Sequence, residues 1–276
     1  MNLVVRKLQQ KYLQAIKRID FSSCPEGAVF LNSFPKSGTH LLYQIFENLP
    51  NIKNYYTFIA SMPSFPHVEV RKNKIVKKIN NIVNCELVRA HLFFDNEFVK
   101  LLKEKNTVLF FIYRDPRDVV ISEANYLYDM NKFHSLHKFY KNLHNIDDRI
   151  MFSIMGNQFI NTKYHYYNIY DRFNKYKGWL NDKNVFSIKY EELVGESSKE
   201  KVKQIISYYA KQINNQDIEN LFSIAISSIN PQKSHTFREG GTNKWKKYFN
   251  KEHKKVFKKI AGDLLIELGY EKNFDW

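Results

Sequence analysis

Two kinds of hydrophobic pattern alternate along the chain. Short runs rich in apolar residues, typical of buried strands, occur at residues 28–31, 86–91, 108–113 and 184–189. Elsewhere apolar residues recur every three or four positions, as at Leu42, Ile45, Phe46 and Leu49, which is the spacing of a helix. The pattern therefore predicts a chain of mixed strands and helices, with the clearest strand at residues 108–113.

Further helices are predicted after the strand at residues 86–91 and at residues 71–81, 197–213, 216–229 and 256–268, and residues 123–183 are predicted to be mainly helical. Prolines interrupt residues 51–64, so an irregular segment is expected there. Its many aromatic rings suit either a substrate wall or a covering loop. Residues 1–20 have a basic amphipathic pattern, which predicts a helix packed on the rest of the chain, with association with a membrane surface as the alternative.

Composition restricts the function only broadly. The 276 residues suit one α/β domain or two small ones, and the formal net charge of +15 favours anionic partners or phosphate-bearing cofactors. No apolar stretch approaches the ~18 residues of a membrane span, so we expect a cytoplasmic protein without stable membrane insertion. Cys24 and Cys85 are the only cysteines and lie far apart, so neither a disulfide nor a zinc site is expected.

The first apolar run leads into a loop with the composition of an anion site. The loop, Pro35 to His40, contains a lysine, a serine and a glycine and is followed by the helical pattern. In a strand-loop-helix unit, the loop amides and the unpaired N–H groups of the first helical turn point to one place, and Lys36 adds a full positive charge. The sequence therefore predicts a phosphate site here, the alternative being an ordinary buried turn with a solvated lysine.

The order of residues in this loop separates two kinds of phosphate chemistry. In the ATP-binding loop the lysine follows the last glycine, whereas here Lys36 precedes Gly38. The order Pro-Lys-Ser-Gly-Thr resembles instead the 5′-phosphosulfate loop of sulfotransferases that use 3′-phosphoadenosine-5′-phosphosulfate (PAPS). The family usually continues with Thr-Trp, and this chain has His40 and Leu41, which leaves the adenine platform open, with Phe222 as a candidate.

A second stretch carries the same resemblance. Residues 113–122 are similar to the 3′-phosphate motif of the cytosolic-type sulfotransferases, in which an arginine and a serine eight residues later hold the 3′-phosphate; here these are Arg114 and Ser122. The same family has a basic residue and a catalytic histidine at the positions of Arg89 and His91. A neutral imidazole at the end of a strand is suited to removing a proton from an acceptor hydroxyl.

Two later segments extend the resemblance. Tyr190 corresponds to a tyrosine on the adenine side of the cofactor, and residues 237–246 are similar to the last signature of the family, with Arg238 and Gly240 in register. Glu239 replaces a lysine of that signature, which puts one contact to the 3′-phosphate in doubt.

The resemblance implies an α/β fold, with a single P-loop-like domain over residues 1–276 and a central parallel β-sheet flanked by helices. It implies transfer of a sulfuryl group from PAPS to a hydroxyl or amine, without a metal. Its implied catalytic residues are His91, Lys36 and Ser122, and its implied cofactor-binding residues are Lys36, Ser37, Gly38, Thr39, His40, Arg114, Ser122, Tyr190, Arg238 and Gly240.

The sequence leaves the acceptor and the partners open. We expect a small-molecule or glycan acceptor and no nucleic-acid partner, and the oligomeric state is undecided, with a homodimer as one alternative. A P-loop nucleotide kinase or NTPase is the second enzymatic hypothesis, although its lysine would be misplaced. A non-enzymatic polyanion-binding protein, suggested by the charge of +15, is the third.

Overall fold

The computed structural model describes residues 12–13, 15–16, 27–65, 67–157, 165–230 and 241–276. The helix predicted for residues 1–20 lies largely outside these residues, so its packing on the domain stays a prediction. That a single domain extends over residues 1–276 also stays a prediction.

The described residues form one central sheet of five parallel strands. In chain order these are β1 (Val29–Ser33), β2 (Phe58–Ala60), β3 (Leu87–His91), β4 (Val108–Tyr113) and β5 (Val185–Lys189), and their order across the sheet is β2-β3-β1-β4-β5. Every pairing is parallel, and the central strand β1 lies between β3 and β4. The predicted α/β fold with a central parallel sheet is therefore confirmed.

Helices cover both faces of the sheet. They are α1 (Thr39–Phe46), α2 (Lys72–Asn80), α3 (Asn96–Glu104), α4 (Pro116–Asn125), α5 (His137–Asn142), α6 (Ile146–Met155), α7 (Ile169–Asn181), α8 (Tyr190–Val194), α9 (Ser198–Gln212), α10 (Ile218–Ser228), α11 (Trp245–Tyr248) and α12 (Lys251–Glu267). Helices α1, α9 and α10 pack on one face, and α2, α3, α4, α6, α7 and α12 pack on the other. Because side chains alternate along a strand, Phe111 of β4 faces the second group whereas Phe110 faces the first.

The structure differs from the predicted elements in two places. Residues 58–60 form strand β2 inside the segment predicted to be irregular, because Phe58 to Ala60 pair with Arg89 to His91 of β3. The stretch predicted as mainly helical is broken, and a π-helical turn, Tyr126–Met130, follows α4 directly. Pairing with a distant strand leaves no local signal in a three-residue segment, which explains the first difference.

Two further observations concern disulfide bonding and membrane-spanning helices. Cys85 is disulfide-bonded, so the expectation of no disulfide is wrong, and Cys24 lies outside the described residues. Within the part of the chain that the structure describes, no helix has the length and apolar character required to cross a membrane.

Candidate functional site

A cleft of about 620 Å³ opens where the parallel strands end. Its walls come from the residues that follow β1, β3, β4 and β5, because the carboxyl ends of parallel strands lie at the same edge of a sheet. The predicted site residues that line it are Lys36, Gly38, Thr39, His40, His91, Arg114, Ser122 and Tyr190. Ser37 lies beside the lining residues in sequence but is fully buried, and Arg238 and Gly240 lie outside the described residues.

The loop after β1 has an unusual backbone. Lys36 has a φ of 68° and Gly38 a φ of 95°, both in the left-handed region, and Gly38 caps the N-terminus of α1. A Cβ atom on Gly38 would lie 2.5 Å from Cδ2 of Tyr190, so only glycine fits between the loop and this ring. Because the first amides of a helix have no partner inside it, the loop and α1 direct unpaired donors towards the cleft.

Lys36 is partly buried, and its ammonium group lies against an aromatic ring. Its Nζ atom lies 3.6 Å from the centroid of the Tyr126 ring. Burial lowers the pKa of Lys36 from 10.5 to about 8, and the charges of Glu123 and Arg114 act in opposite directions on it. A lysine with this pKa is mainly protonated at neutral pH, so it can neutralise negative charge at the mouth of the loop.

The hydrogen bonds of His91 determine which of its nitrogens can act as a base. Its Nδ1 atom lies 3.0 Å from the carbonyl oxygen of Ser33 and 3.0 Å from Ser33 Oγ, which also contacts Thr39 Oγ1 at 2.7 Å. Donation from Nδ1 to the carbonyl leaves the lone pair on Nε2. Burial lowers the pKa of His91 from 6.5 to about 4, so the imidazole is neutral at physiological pH and ready to accept a proton.

Arg114 follows β4 and is anchored on two sides. Its Nη2 atom donates to Asp118 Oδ2 at 3.0 Å and to the carbonyl oxygen of Gly241 at 2.9 Å, and its guanidinium lies 4.6 Å from the Tyr190 ring centroid. Its Nε atom is buried and has no hydrogen-bond partner within the described residues. Asp118 also accepts from the amide of Trp245 at 2.9 Å, which ties the segment after residue 241 to the site.

The two ends of the predicted cofactor site share one wall. The ring of Tyr190 packs against Gly38 and also lies beside the guanidinium of Arg114. Ser122 lies two turns into α4 and lines the same cleft. The predicted loop and the predicted Arg114 and Ser122 pair therefore converge on one cavity.

The cleft also contains residues that the sequence did not identify. Glu123 and Arg172 form a partly buried ion pair, and Arg172 also donates to Tyr166 Oη at 2.5 Å. His67 and His134 line the same wall. Glu123 adjoins a predicted site residue, which is the one local signal in this group; nothing in the sequence links it to Arg172, 49 residues later.

Two expectations concern residues at the edge of this site. Phe222 packs against the hydrophobic core between the sheet and α9 and does not line the cleft, so it does not provide the adenine platform in this structure. Among the described residues, no cluster of three or more His, Cys, Asp or Glu side chains could hold a metal ion.

Comparisons with known proteins agree with this geometry. Residues 26–269 match the family model of the sulfotransferase domain. The fold is similar to the crystal structure of mouse sulfotransferase SULT7A1 complexed with PAP, with a TM-score of 0.60 and 20% sequence identity over 96% of this chain and 93% of that one. It is also similar to retinol dehydratase in complex with androsterone and the inactive cofactor PAP, with a TM-score of 0.57 and 16% identity over 86% of this chain and 80% of that one.

No curated protein sequence matches this chain at a significant level. At the identities found, the two crystal structures establish the fold, while the family model covers most of the sequence. The cleft, the loop after β1 and the match over residues 26–269 together show that this chain belongs to the sulfotransferase-domain family.

Proposed function

We propose that this sulfotransferase moves a sulfuryl group from PAPS to a hydroxyl or amine of its acceptor. Both structural neighbours were determined with PAP, the nucleotide that remains when PAPS has lost its sulfuryl group. Their use of PAP supports the same donor here, in agreement with the resemblance found in the loop after β1 and in residues 113–122.

The residues present fit such a nucleotide. Ser37 Oγ and Arg114 Nε are buried polar atoms without a hydrogen-bond partner in the described part of the chain. Each such atom costs about 1–3 kcal/mol when it stays unpaired. Phosphate oxygens are strong acceptors, so a ligand that carries a phosphate at each end would satisfy both atoms and lie between Lys36 and Arg114.

The cofactor contacts follow from the placement of the lining residues. Lys36, Ser37, Gly38, Thr39 and His40 would bind the 5′-phosphosulfate end through loop amides, first-turn amides and the lysine ammonium group. At the other end, Arg114 and Ser122 would bind the 3′-phosphate, with Tyr190 beside the nucleoside. We also expect Arg238 and Gly240 to contact the 3′-phosphate.

The chemistry assigned to this chain is proton removal and charge stabilisation. The donor supplies the sulfuryl group and leaves as adenosine 3′,5′-bisphosphate, which keeps the electron pair of the broken bond between sulfur and the bridging oxygen. His91 Nε2 would take the proton of the acceptor as its oxygen or nitrogen bonds to sulfur. Lys36 would stabilise the negative charge that develops on the bridging oxygen, and Ser122 would connect Lys36 with the 3′-phosphate end.

The observation that carries this proposal is the contact of one ring, that of Tyr190, with both the loop after β1 and Arg114. It brings the two predicted phosphate sites onto one wall. The test measures thermal stability with adenosine 3′,5′-bisphosphate in EDTA, and with Mg-ATP, followed by transfer of label from PAPS to a panel of phenols, alcohols, amines and glycans. Stabilisation by the bisphosphate without magnesium and labelled product are expected. Stabilisation by Mg-ATP alone would refute the proposal.

The partners and the location of the protein can be tested separately. A small-molecule or glycan acceptor, a reaction without a metal and a homodimer are predictions that the screen, the EDTA arm and light scattering address. A cytoplasmic location also stays a prediction, and the disulfide bond of Cys85 weighs against it, because structural disulfides persist mainly in oxidising compartments. Alkylation of unreduced protein from its native source, read by mass spectrometry, tests that point.

A further inference from the structure

His67 and His134 form a pair of partly buried rings on the wall of the cleft. Their ring centroids are 4.9 Å apart, and both residues line the cleft. Neither nitrogen of His67 has a hydrogen-bond partner within the described residues. Buried polar atoms in native proteins are nearly always paired, so two unpaired nitrogens on a ring that lines the cleft point to a ligand.

The position of His67 is set by its backbone. Its φ is 58°, in the left-handed region, and its amide donates to the carbonyl oxygen of Pro63 at 3.1 Å. Non-glycine residues with positive φ are uncommon and concentrate at functional positions. The turn therefore presents the ring of His67 to the cleft at some cost in local strain.

The charges around the pair are compensated. Arg172 is bound by the carboxylate of Glu123 and donates to Tyr166 Oη at 2.5 Å and to the carbonyl oxygen of Ser153 at 2.6 Å. Lys175 on the same wall pairs with Glu69 at 3.1 Å. The charged side chains near the two histidines are therefore paired with carboxylates.

Both imidazoles are neutral at physiological pH. Burial lowers the pKa of His67, with Glu123 and Arg172 acting in opposite directions, and burial together with the neighbouring His67 and His137 lowers the pKa of His134 to about 3. The Nδ1 atom of His134 accepts from the amide of Leu136 at 3.1 Å, so its proton lies on Nε2. The pair consequently offers both donors and acceptors but no charge.

Aromatic rings line the same cleft as this pair and His91. Phe58 contacts the ring of His91 edge-on, with centroids 5.2 Å apart, and Phe93, Tyr126 and Tyr176 also line the cleft. Rings of this kind pack well against a flat or apolar body. An acceptor with its reactive group at His91 would have these rings beside its apolar body, and the two histidines belong to the same cleft.

We propose that His67 and His134 form a recognition subsite for an uncharged hydrogen-bonding group, such as a second hydroxyl, on an acceptor with an apolar body. This proposal rests on the sulfotransferase function proposed above and names the acceptor class for the same cleft. A hydroxyl both donates and accepts, as the two imidazoles require. A carboxylate would lose its hydration here without gaining a charged partner, and an alkyl group would leave the nitrogens of His67 unpaired.

The experiment compares three phenols that differ only at the far end. They are 4-(3-hydroxypropyl)phenol, 4-butylphenol and 3-(4-hydroxyphenyl)propionate, each also prepared with a longer spacer. For the wild-type protein we expect kcat/KM to be about tenfold higher for the hydroxypropyl compound than for the butyl compound, which is the effect of about one net hydrogen bond. The propionate should be the poorest acceptor of the three. Equal values, or a preference for the butyl or propionate compound at both spacer lengths, would overturn the proposal.

Variants of His67 separate recognition from folding. His67→Phe keeps the ring shape and removes the nitrogens, so the ratio of kcat/KM for the hydroxypropyl compound to kcat/KM for the butyl compound should fall below about twofold, mainly through a higher KM for the hydroxypropyl compound. His67→Asn tolerates positive φ and keeps a donor and an acceptor, so it should retain part of the preference. His144→Phe, at an exposed histidine, is the matched control and should change nothing. A preference that survives in His67→Phe would contradict the assignment.

Binding measurements distinguish failure of this proposal from failure of the proposed function. Without stabilisation by adenosine 3′,5′-bisphosphate and without transfer of label, the sulfotransferase proposal fails. The subsite is then tested by thermal shift, where the hydroxypropyl compound should stabilise the wild type more than the butyl compound does and should lose this advantage in His67→Phe. A protein that binds the bisphosphate but shows no preference among the phenols retains the first proposal and refutes the second.

Discussion

Replacement of Lys36 by methionine should abolish transfer and yet make the protein more stable. Burial lowers the pKa of Lys36 from 10.5 to about 8, which means that the fold disfavours its charged form. A difference of about 2.5 pKa units corresponds to about 3 kcal/mol at neutral pH. Methionine has a similar length and no charge, so it removes this cost.

One favourable contact is lost in the same change. The ammonium group lies 3.6 Å from the centroid of the Tyr126 ring, and a desolvated contact of this type contributes up to about 2 kcal/mol. Desolvation is the larger of the two effects, so we expect a net gain of about 1–2 kcal/mol in the free energy of unfolding. For a chain of this length such a gain raises Tm by about 3–5 °C.

The pH dependence identifies the cause of the gain. Below pH 8, Lys36 is charged in the folded and unfolded states, and the wild type bears the full cost. Between about 8 and 10.5 the folded state has released the proton while the unfolded state still binds it, so the stability of the wild type rises with pH. The advantage of Lys36→Met should therefore be greatest at pH 7 and much smaller at pH 10.

Urea unfolding at pH 7 and pH 10 provides the measurement, with Lys259→Met as the control at an exposed lysine in α12. The control should show no difference from the wild type at either pH. If Lys36→Met is less stable than the wild type at pH 7, or if its advantage is the same at both values, the burial argument for Lys36 is wrong. The same variant should bind adenosine 3′,5′-bisphosphate more weakly and show no measurable transfer.

Three other outcomes follow from the site. Since burial lowers the pKa of His91 to about 4, kcat/KM for PAPS should stay constant from pH 7 down to about 5 and fall only near 4; a fall beginning near 6.5 would contradict this. Gly38→Ala should weaken bisphosphate binding by about tenfold or more without unfolding the protein, because its Cβ would lie 2.5 Å from the Tyr190 ring. Isothermal titration measures this affinity, and an unchanged value would argue against the close approach of Gly38 to the ring. Glu123→Gln should lower the free energy of unfolding by about 1.5–3 kcal/mol, because it removes the carboxylate charge that faces the partly buried guanidinium of Arg172. The double variant Glu123→Gln, Arg172→Met should recover part of that loss in urea unfolding, and no recovery would mean that the pair is not the cause.

Much of the proposed nucleotide site could be predicted because its parts lie next to strand ends. Lys36 follows β1, His91 ends β3, Arg114 follows β4 and Tyr190 follows β5. An apolar run announces each strand locally, and parallel strands bring their ends to one edge. The order of elements along the chain was therefore sufficient to bring these residues together.

The acceptor side could not be predicted in the same way. Strand β2 is three residues long and exists through its pairing with β3, and the partner of Glu123 lies 49 residues further along the chain. The pairing of His67 with His134 depends on how the segment around residue 67 packs against the turn after Met130. Such contacts join segments that share no motif, so no periodicity or spacing points to them.

The sequence by itself determined the alternation of buried strands and helices, the loop with Lys36 before Gly38 and the family, since these depend on residue order and local spacing. Only the tertiary structure decided which groups are charged, which nitrogen of His91 is free and which charged side chains in the cleft are paired. Desolvation and hydrogen bonding to a distant backbone carbonyl exist only after packing, and they set the pKa of Lys36 near 8 and that of His91 near 4.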